Sequence, residues 1–117
     1  MNYRAIRYAD VLLMAAEANN RKASPDDAKA QNYLNQVRAR AFGNSSQAST
    51  STGAALTQEI WDERRLELAM EGHHFFDLVR TGQAATKISG FVAGKHDVFP
   101  IPQTEIDISG LTQNSGY

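Results

Sequence analysis

Glu63, Glu67 and Glu71 recur every four residues, which sets three carboxylates on one stripe of a helix. Glu71 and His74 form an E-x-x-H spacing, and Asp77 follows three residues on. Such a group suggests acid/base work or a metal centre, as in a small helical enzyme built on Glu71, His74 and Asp77. The supporting cast is thin. Di-iron carboxylate bundles need two such motifs and two further glutamates from other helices, whereas here the one histidine outside the His73-His74 pair is His96. There is no H-E-x-x-H zinc motif, and Gly72 weakens a helix between the two ligands. The stripe also contains Arg64, and Arg7, Arg38, Arg40 and Arg80 are available from elsewhere. Buried charges must be paired before they can do anything else. The favoured expectation is therefore an inter-helix salt-bridge network, with local His73–Asp77 and Asp77–Arg80 pairs and no catalytic, metal or cofactor site.

Other chemistries find less support. The chain has no cysteine, so disulfides, thiolate metal sites and cysteine nucleophiles are excluded. Its serines lie at caps or in a low-complexity stretch, none in a G-x-S-x-G context. Gly90 and Gly94 bracket an apolar pair with no helix to follow, which is not a phosphate loop. A formal net charge of −1 gives no basis for nucleic-acid binding. The first half is net basic and the second net acidic, so the two should attract. Tyr3, Tyr8, Trp61, Phe75 and Phe76 have rings able to stack on a sugar, but each falls on an expected helix, where an aromatic more often belongs to the core.

The elements that must position these residues read as helices. Residues 3–20 lack Gly and Pro and are rich in Ala, Leu and Met. Apolar residues occur on nearly all faces, which calls for burial between neighbours. Ser24-Pro25-Asp26-Asp27 reads as a helix start, with Ser24 as cap and Pro25 in the first position. A second helix should cover 26–41, with Tyr33, Leu34, Val37 and Ala41 as its apolar face. The linker is short, so the two should pack antiparallel. Residues 43–55 are mostly Ser, Thr, Gly, Ala and Asn, and read as a mobile, dispensable loop. Thr57 then caps a third helix to Glu71, buried on several sides through Ile60, Trp61, Leu66, Leu68 and Met70. A short helix follows over 75–80. The prolines of Val98-Phe99-Pro100-Ile101-Pro102 force an extended run. The fold class is all-α, one helical domain over 1–117, with tetratricopeptide-like antiparallel helix pairs and an irregular, extended C-terminal tail.

Five stretches in order carry a resemblance. Arg7-Tyr8-Ala9-Asp10-Val11-Leu12-Leu13-Met14, followed by Ala16-Glu17-Ala18, resembles the helix opening the C-terminal region of the SusD/RagB family. Tyr33-Leu34-Asn35-Gln36-Val37-Arg38-Ala39-Arg40-Ala41 is similar to its next helix. Glu63-Arg64-Arg65-Leu66-Glu67-Leu68-Ala69-Met70-Glu71-Gly72 with Phe76-Asp77-Leu78-Val79-Arg80 resembles the family's most distinctive stretch. Phe99-Pro100-Ile101-Pro102-Gln103-Thr104-Glu105-Ile106 and the terminal Gln113-Asn114-Ser115-Gly116-Tyr117 resemble its closing motif. The family commonly has arginine in place of His74 and proline in place of Ser115.

The resemblance implies a nutrient-binding outer-membrane lipoprotein of Bacteroidetes-type bacteria. It further implies a TonB-dependent, SusC-like transporter as partner and polysaccharide or oligosaccharide as cargo. It supplies no catalytic residue, and its ligand contacts lie in loops outside these motifs, so the ligand-binding residues of this chain stay unknown. Family members are several times longer, so the chain is expected to be a C-terminal piece without the lipid-anchored cysteine. A purely structural role in supporting the transporter contact is the alternative. With the preceding helices absent, the first helix should leave apolar surface that drives self-association.

Overall fold

Arg7 is held in an extended conformation by two glutamates from far along the chain, and the first helix begins only after it. The computed structural model describes residues 5–117. Helix α1 runs over Tyr8–Arg21; residues 5–7 are not helical, so the start expected at residue 3 is corrected where it can be seen, and Tyr3 lies outside the described residues. Two compact units follow one another, Met1–His74 and Phe75–Tyr117.

In the first unit α2 covers Asp27–Phe42 and α3 covers Gly53–Glu67. The cap of α2 is Asp26, whose carboxylate accepts from the Lys29 N–H at 3.0 Å. Ser24 is not the cap and Pro25 stays outside the helix. A carboxylate satisfies the free N–H groups and also favours the positive helix end, which a hydroxyl does not. The Asp26 N–H donates to the Asn19 carbonyl at 2.9 Å, which fixes the linker at this register. Gly43, with φ of 71°, closes α2 in a left-handed conformation.

Helix α3 starts four residues before the expected Thr57 cap. Its flanking residue Thr52 makes no side-chain cap bond; instead Asp27 of α2 accepts from the Gly53 N–H at 2.7 Å. The cap comes from another helix, which a local reading cannot find. At the other end α3 stops at Glu67 rather than Glu71, and Met70 takes a left-handed φ of 67°.

Polar contacts give the helix directions. Asn20 at the end of α1 meets Asp27 and Gly53 at the starts of α2 and α3. Arg7, just before α1, and Arg40 near the end of α2 both meet Glu67 at the end of α3. Thus α1 is antiparallel to both other helices, and α2 and α3 run parallel. The all-α expectation and the antiparallel first pair hold. Residues 43–52 must then return along the length of α2. They do so pinned: Asn35 Nδ2 donates to the Ser49 carbonyl at 3.0 Å, the Ser49 N–H donates to Asn35 Oδ1, and Gln31 Nε2 donates to the Ser51 carbonyl at 2.8 Å. The loop expected over 43–55 is shorter than that and is anchored in its second half.

The core is Leu12, Leu13 and Ala16 of α1, Ala30, Leu34 and Val37 of α2, and Leu56 and Ile60 of α3, with Ala9 and Tyr33 packed at its edge. Each fully buried Leu or Ile contributes about 1.5–3 kcal/mol by leaving water. Ala41 is exposed, and so are Leu66 and Met70. Helix α3 buries one side, not several.

The second unit contains α4 (His74–Arg80), α5 (Ala84–Lys87) and α6 (Gln103–Ser109), with Leu78 and Ala84 buried. Residues 98–102 are non-helical, as the prolines require. The tail is not loose. The Ile101 N–H donates to Gln113 Oε1 at 2.8 Å, and Gln113 Nε2 returns a bond to the Ile101 carbonyl at 2.9 Å. Asn114 Nδ2 donates to the Phe99 carbonyl and the Tyr117 hydroxyl to that of Val98.

Candidate functional site

The carboxylate stripe is met by guanidinium groups. Glu67 Oε1 accepts from Arg7 Nη1 at 2.8 Å and is also paired with Arg40. Arg7 Nη2 donates to the Glu67 carbonyl at 2.7 Å, and Arg7 Nε donates to Glu71 Oε2 at 2.9 Å. Glu63 accepts from Arg38 Nε at 2.9 Å, and Glu59 from Arg38 Nη1 at 3.3 Å. Asp10 accepts from Arg64 Nη1 at 2.7 Å in the interior. Apart from Asp10–Arg64, these pairs join cations of the basic first half to carboxylates of the acidic second half. This is the inter-helix network read from the sequence, and Glu59 and Asp10 join it.

The electrostatics suit structure better than proton transfer. Hydrogen bonds from Arg7 hold the Glu71 carboxyl below its ordinary value, and those from Glu71 and Glu67 hold Arg7 above its own. The Ser49 and Ser51 hydroxyls, assisted by Arg38, hold Glu59 down. A general acid or base works best with a pKa near the ambient pH, and these shifts lead away from it. Two members of the Glu71/His74/Asp77 group have cationic partners: Glu71 is engaged by Arg7, and Asp77 accepts from Arg80 Nε at 2.7 Å, the local pair expected from its spacing. Among the described residues, no group of three or more His, Asp or Glu side chains converges as a metal site.

The aromatic candidates separate. Trp61 is half-buried, with the Arg21 guanidinium 5.4 Å from its ring centroid, and Arg21 is itself tied to Glu17 at 2.7 Å. That face of the indole is taken, as a cation–π contact. Phe75 packs edge-on to Phe76 at 5.6 Å and lies 6.3 Å from Phe99 and 6.5 Å from Phe91, a ring cluster of the second unit. Tyr8 is 72% exposed.

Two features went unseen in the sequence. Asn20, buried, donates to Asp27 and to the Gly53 carbonyl and accepts from the Thr57 hydroxyl, so one amide joins all three helices. Its signal was a polar residue in register with Leu13 and Ala16 on the core stripe. The second feature is a pocket of about 350 Å³ between α1 and α2. Ala9, Leu12 and Val37 form its apolar surface, and Arg7, Tyr8, Gln36 and Arg40 add polar groups. Sequence spacing carries no sign of a cavity built from one face of each of two helices.

The model of the SusD family matches residues 1–98. The chain is 32% identical over 128 residues to SusD-like protein P25 of Formosa agariphila, covering 95% of this chain and 24% of that protein. It is 36% identical over 133 residues to SusD-like protein P2 of the same organism, covering 99% of this chain and 26% of the relative. The chain thus spans about a quarter of the length of the curated relatives it matches.

Proposed function

The chain belongs to the SusD family, and from that premise we propose that it is part of a surface nutrient-capture protein that binds glycans or other nutrients without transforming them. In this reading the whole protein is held at the outer membrane and delivers its cargo to a TonB-dependent, SusC-like transporter. The observation that carries the reading is the family match across residues 1–98. The ion pairs support it, since the carboxylates best placed for catalysis are spent on fixing helices. No helix among the described residues is long and apolar enough to cross a membrane.

A polysaccharide array screened with this chain and with a longer protein containing it tests the proposal. Saturable binding by the longer protein, with no turnover of the bound glycan, is the expected result. Glycan cleavage, or no binding to any array member, would sink it. The second reading, a scaffold supporting the transporter contact, is favoured by one observation: three helices are locked by arginine–carboxylate pairs at Arg7, Arg38, Arg40 and Arg64. Binding by the longer protein but not by this chain selects it.

A further inference from the structure

We propose that the pocket between α1 and α2 binds one carboxylate-bearing sugar residue, a uronic acid unit of a glycan; this rests on the nutrient-capture reading above. At about 350 Å³ it falls at the small end of ligand pockets, about 300–1,000 Å³, which are characteristically apolar with a few placed polar groups. Leu12 and Val37 are buried residues whose edges line it, a surface suited to the C–H face of a sugar ring. The exposed Tyr8 ring extends that surface.

The polar groups are unequal. Arg7 has Nε, Nη1 and Nη2 all engaged by Glu67 and Glu71, so it is a fixed wall rather than a donor in waiting. Arg40 gives only Nη2 to Glu67, and among the described residues its Nε and Nη1 have no partner; its side chain is 63% exposed. A guanidinium with free N–H groups is a preferred carboxylate ligand. Gln36 donates through Nε2 to Asn32 at 2.8 Å, and its amide oxygen remains to accept from a sugar hydroxyl. Arg7 and Arg40 are balanced by Glu67 and Glu71, so the pocket is not a general anion trap. Recognition needs the apolar ring face, the hydroxyls and the carboxylate together.

The test is an NMR titration of the 15N-labelled chain with sodium glucuronate, alongside glucose, cyclohexanecarboxylate and sodium sulfate. Saturable shifts at Leu12, Val37 and Arg40 with glucuronate are expected, with glucose and cyclohexanecarboxylate each binding more weakly and sulfate moving none of them. Arg40→Gln should weaken glucuronate roughly tenfold or more, because a charge-assisted hydrogen bond is removed. Gln36→Ala should weaken glucuronate but not cyclohexanecarboxylate, and Lys29→Gln should change nothing. Glucuronate shifts that are absent, or indifferent to Arg40→Gln, overturn the site. Equal shifts with sulfate mean a generic cationic patch, and equal affinity for cyclohexanecarboxylate removes the sugar assignment. Glycan binding by the longer protein without shifts here defeats the pocket alone; glucuronate shifts here with no glycan bound by the longer protein defeat the capture reading alone.

Discussion

Asp10 and Arg64, 54 residues apart in sequence, meet at 2.7 Å with side chains only 7% and 5% exposed. A buried ion pair is poor evidence of net stabilisation, because desolvation offsets the attraction, but removing one partner leaves the other buried charge less well compensated. Asp10→Ala should cost about 1–3 kcal/mol in urea unfolding, since a charge-assisted hydrogen bond to Arg64 is lost in the interior. The double replacement Asp10→Leu with Arg64→Met should recover most of that loss. A double variant as unstable as the single one would mean that the pair is needed for more than charge balance.

Glu67 gives a graded version of the same argument. It is 9% exposed and shared between Arg7 and Arg40, whereas Glu71 is well exposed. Glu67→Ala should lower stability by about 1–3 kcal/mol, leaving Arg7 and Arg40 partly unpaired. Glu71→Ala should do markedly less, because an exposed pair is screened by solvent. Equal melting temperatures for the two variants would contradict the ranking.

These pairs were the most legible part of the site. A four-residue carboxylate repeat on a partly apolar helix demands cations, and the sequence offers Arg7, Arg38 and Arg40. The helices themselves were legible from composition and periodicity. Their ends were not, because the deciding contacts are tertiary: Asp27 caps α3 across helices, and Arg7 is drawn out of α1 by Glu67 and Glu71. Leu66 and Met70 misled for a related reason, since an apolar residue on a helix says nothing about whether a neighbour covers that face. The pocket left no trace, as a void is a property of two surfaces rather than of a motif.

Acid should weaken the first unit through three carboxylates. Asp27 is held below its ordinary value by the Gly53 N–H and Asn20, Glu59 by the Ser49 and Ser51 hydroxyls, and Glu71 by Arg7. Each folded value lies below the unfolded one, near 4 for carboxylates. Below that unfolded value the unfolded chain binds more protons, so stability rises with pH there. The contribution is complete at pH 7 and is lost as pH falls below about 5 and through the depressed folded values. Urea midpoints at pH 7, 5 and 3 should fall with acid, and Asp27→Asn should flatten the trend. A midpoint independent of pH would leave these bonds without energetic consequence.

The return loop should resist shortening, against what its composition suggested. Helix α2 has 16 residues and is therefore about 24 Å long, and α3 starts beside its beginning. A four-residue linker reaches roughly 18 Å at most. Replacing residues 43–52 by such a linker should abolish the packing of α3 and lower the cooperativity of unfolding. Asn35→Ala, which removes both bonds to the buried Ser49 backbone, should cost about 1–3 kcal/mol. A short linker with native circular dichroism and melting would refute the parallel course of α2 and α3.

The outer face of α1 makes the last prediction. Tyr8, Val11 and Met14 are 72%, 43% and 45% exposed, and Ala18 continues the same side of the helix. Three-residue steps place them on one stripe, opposite Leu13, which is wholly buried. The inner stripe is thus satisfied while the outer one is only partly covered among the described residues. Apolar patches on soluble proteins tend to mark an interaction surface or an aggregation liability. A second copy is the partner present in any preparation of the chain, and a two-fold symmetric contact closes on itself. Light scattering over a concentration series should therefore rise from the 12.9 kDa monomer towards twice that mass. Val11→Lys together with Met14→Lys should hold the chain at the monomer mass with little change in melting temperature, since neither side chain belongs to the core cluster. A monomer at the highest soluble concentration would show that this stripe does not drive self-association.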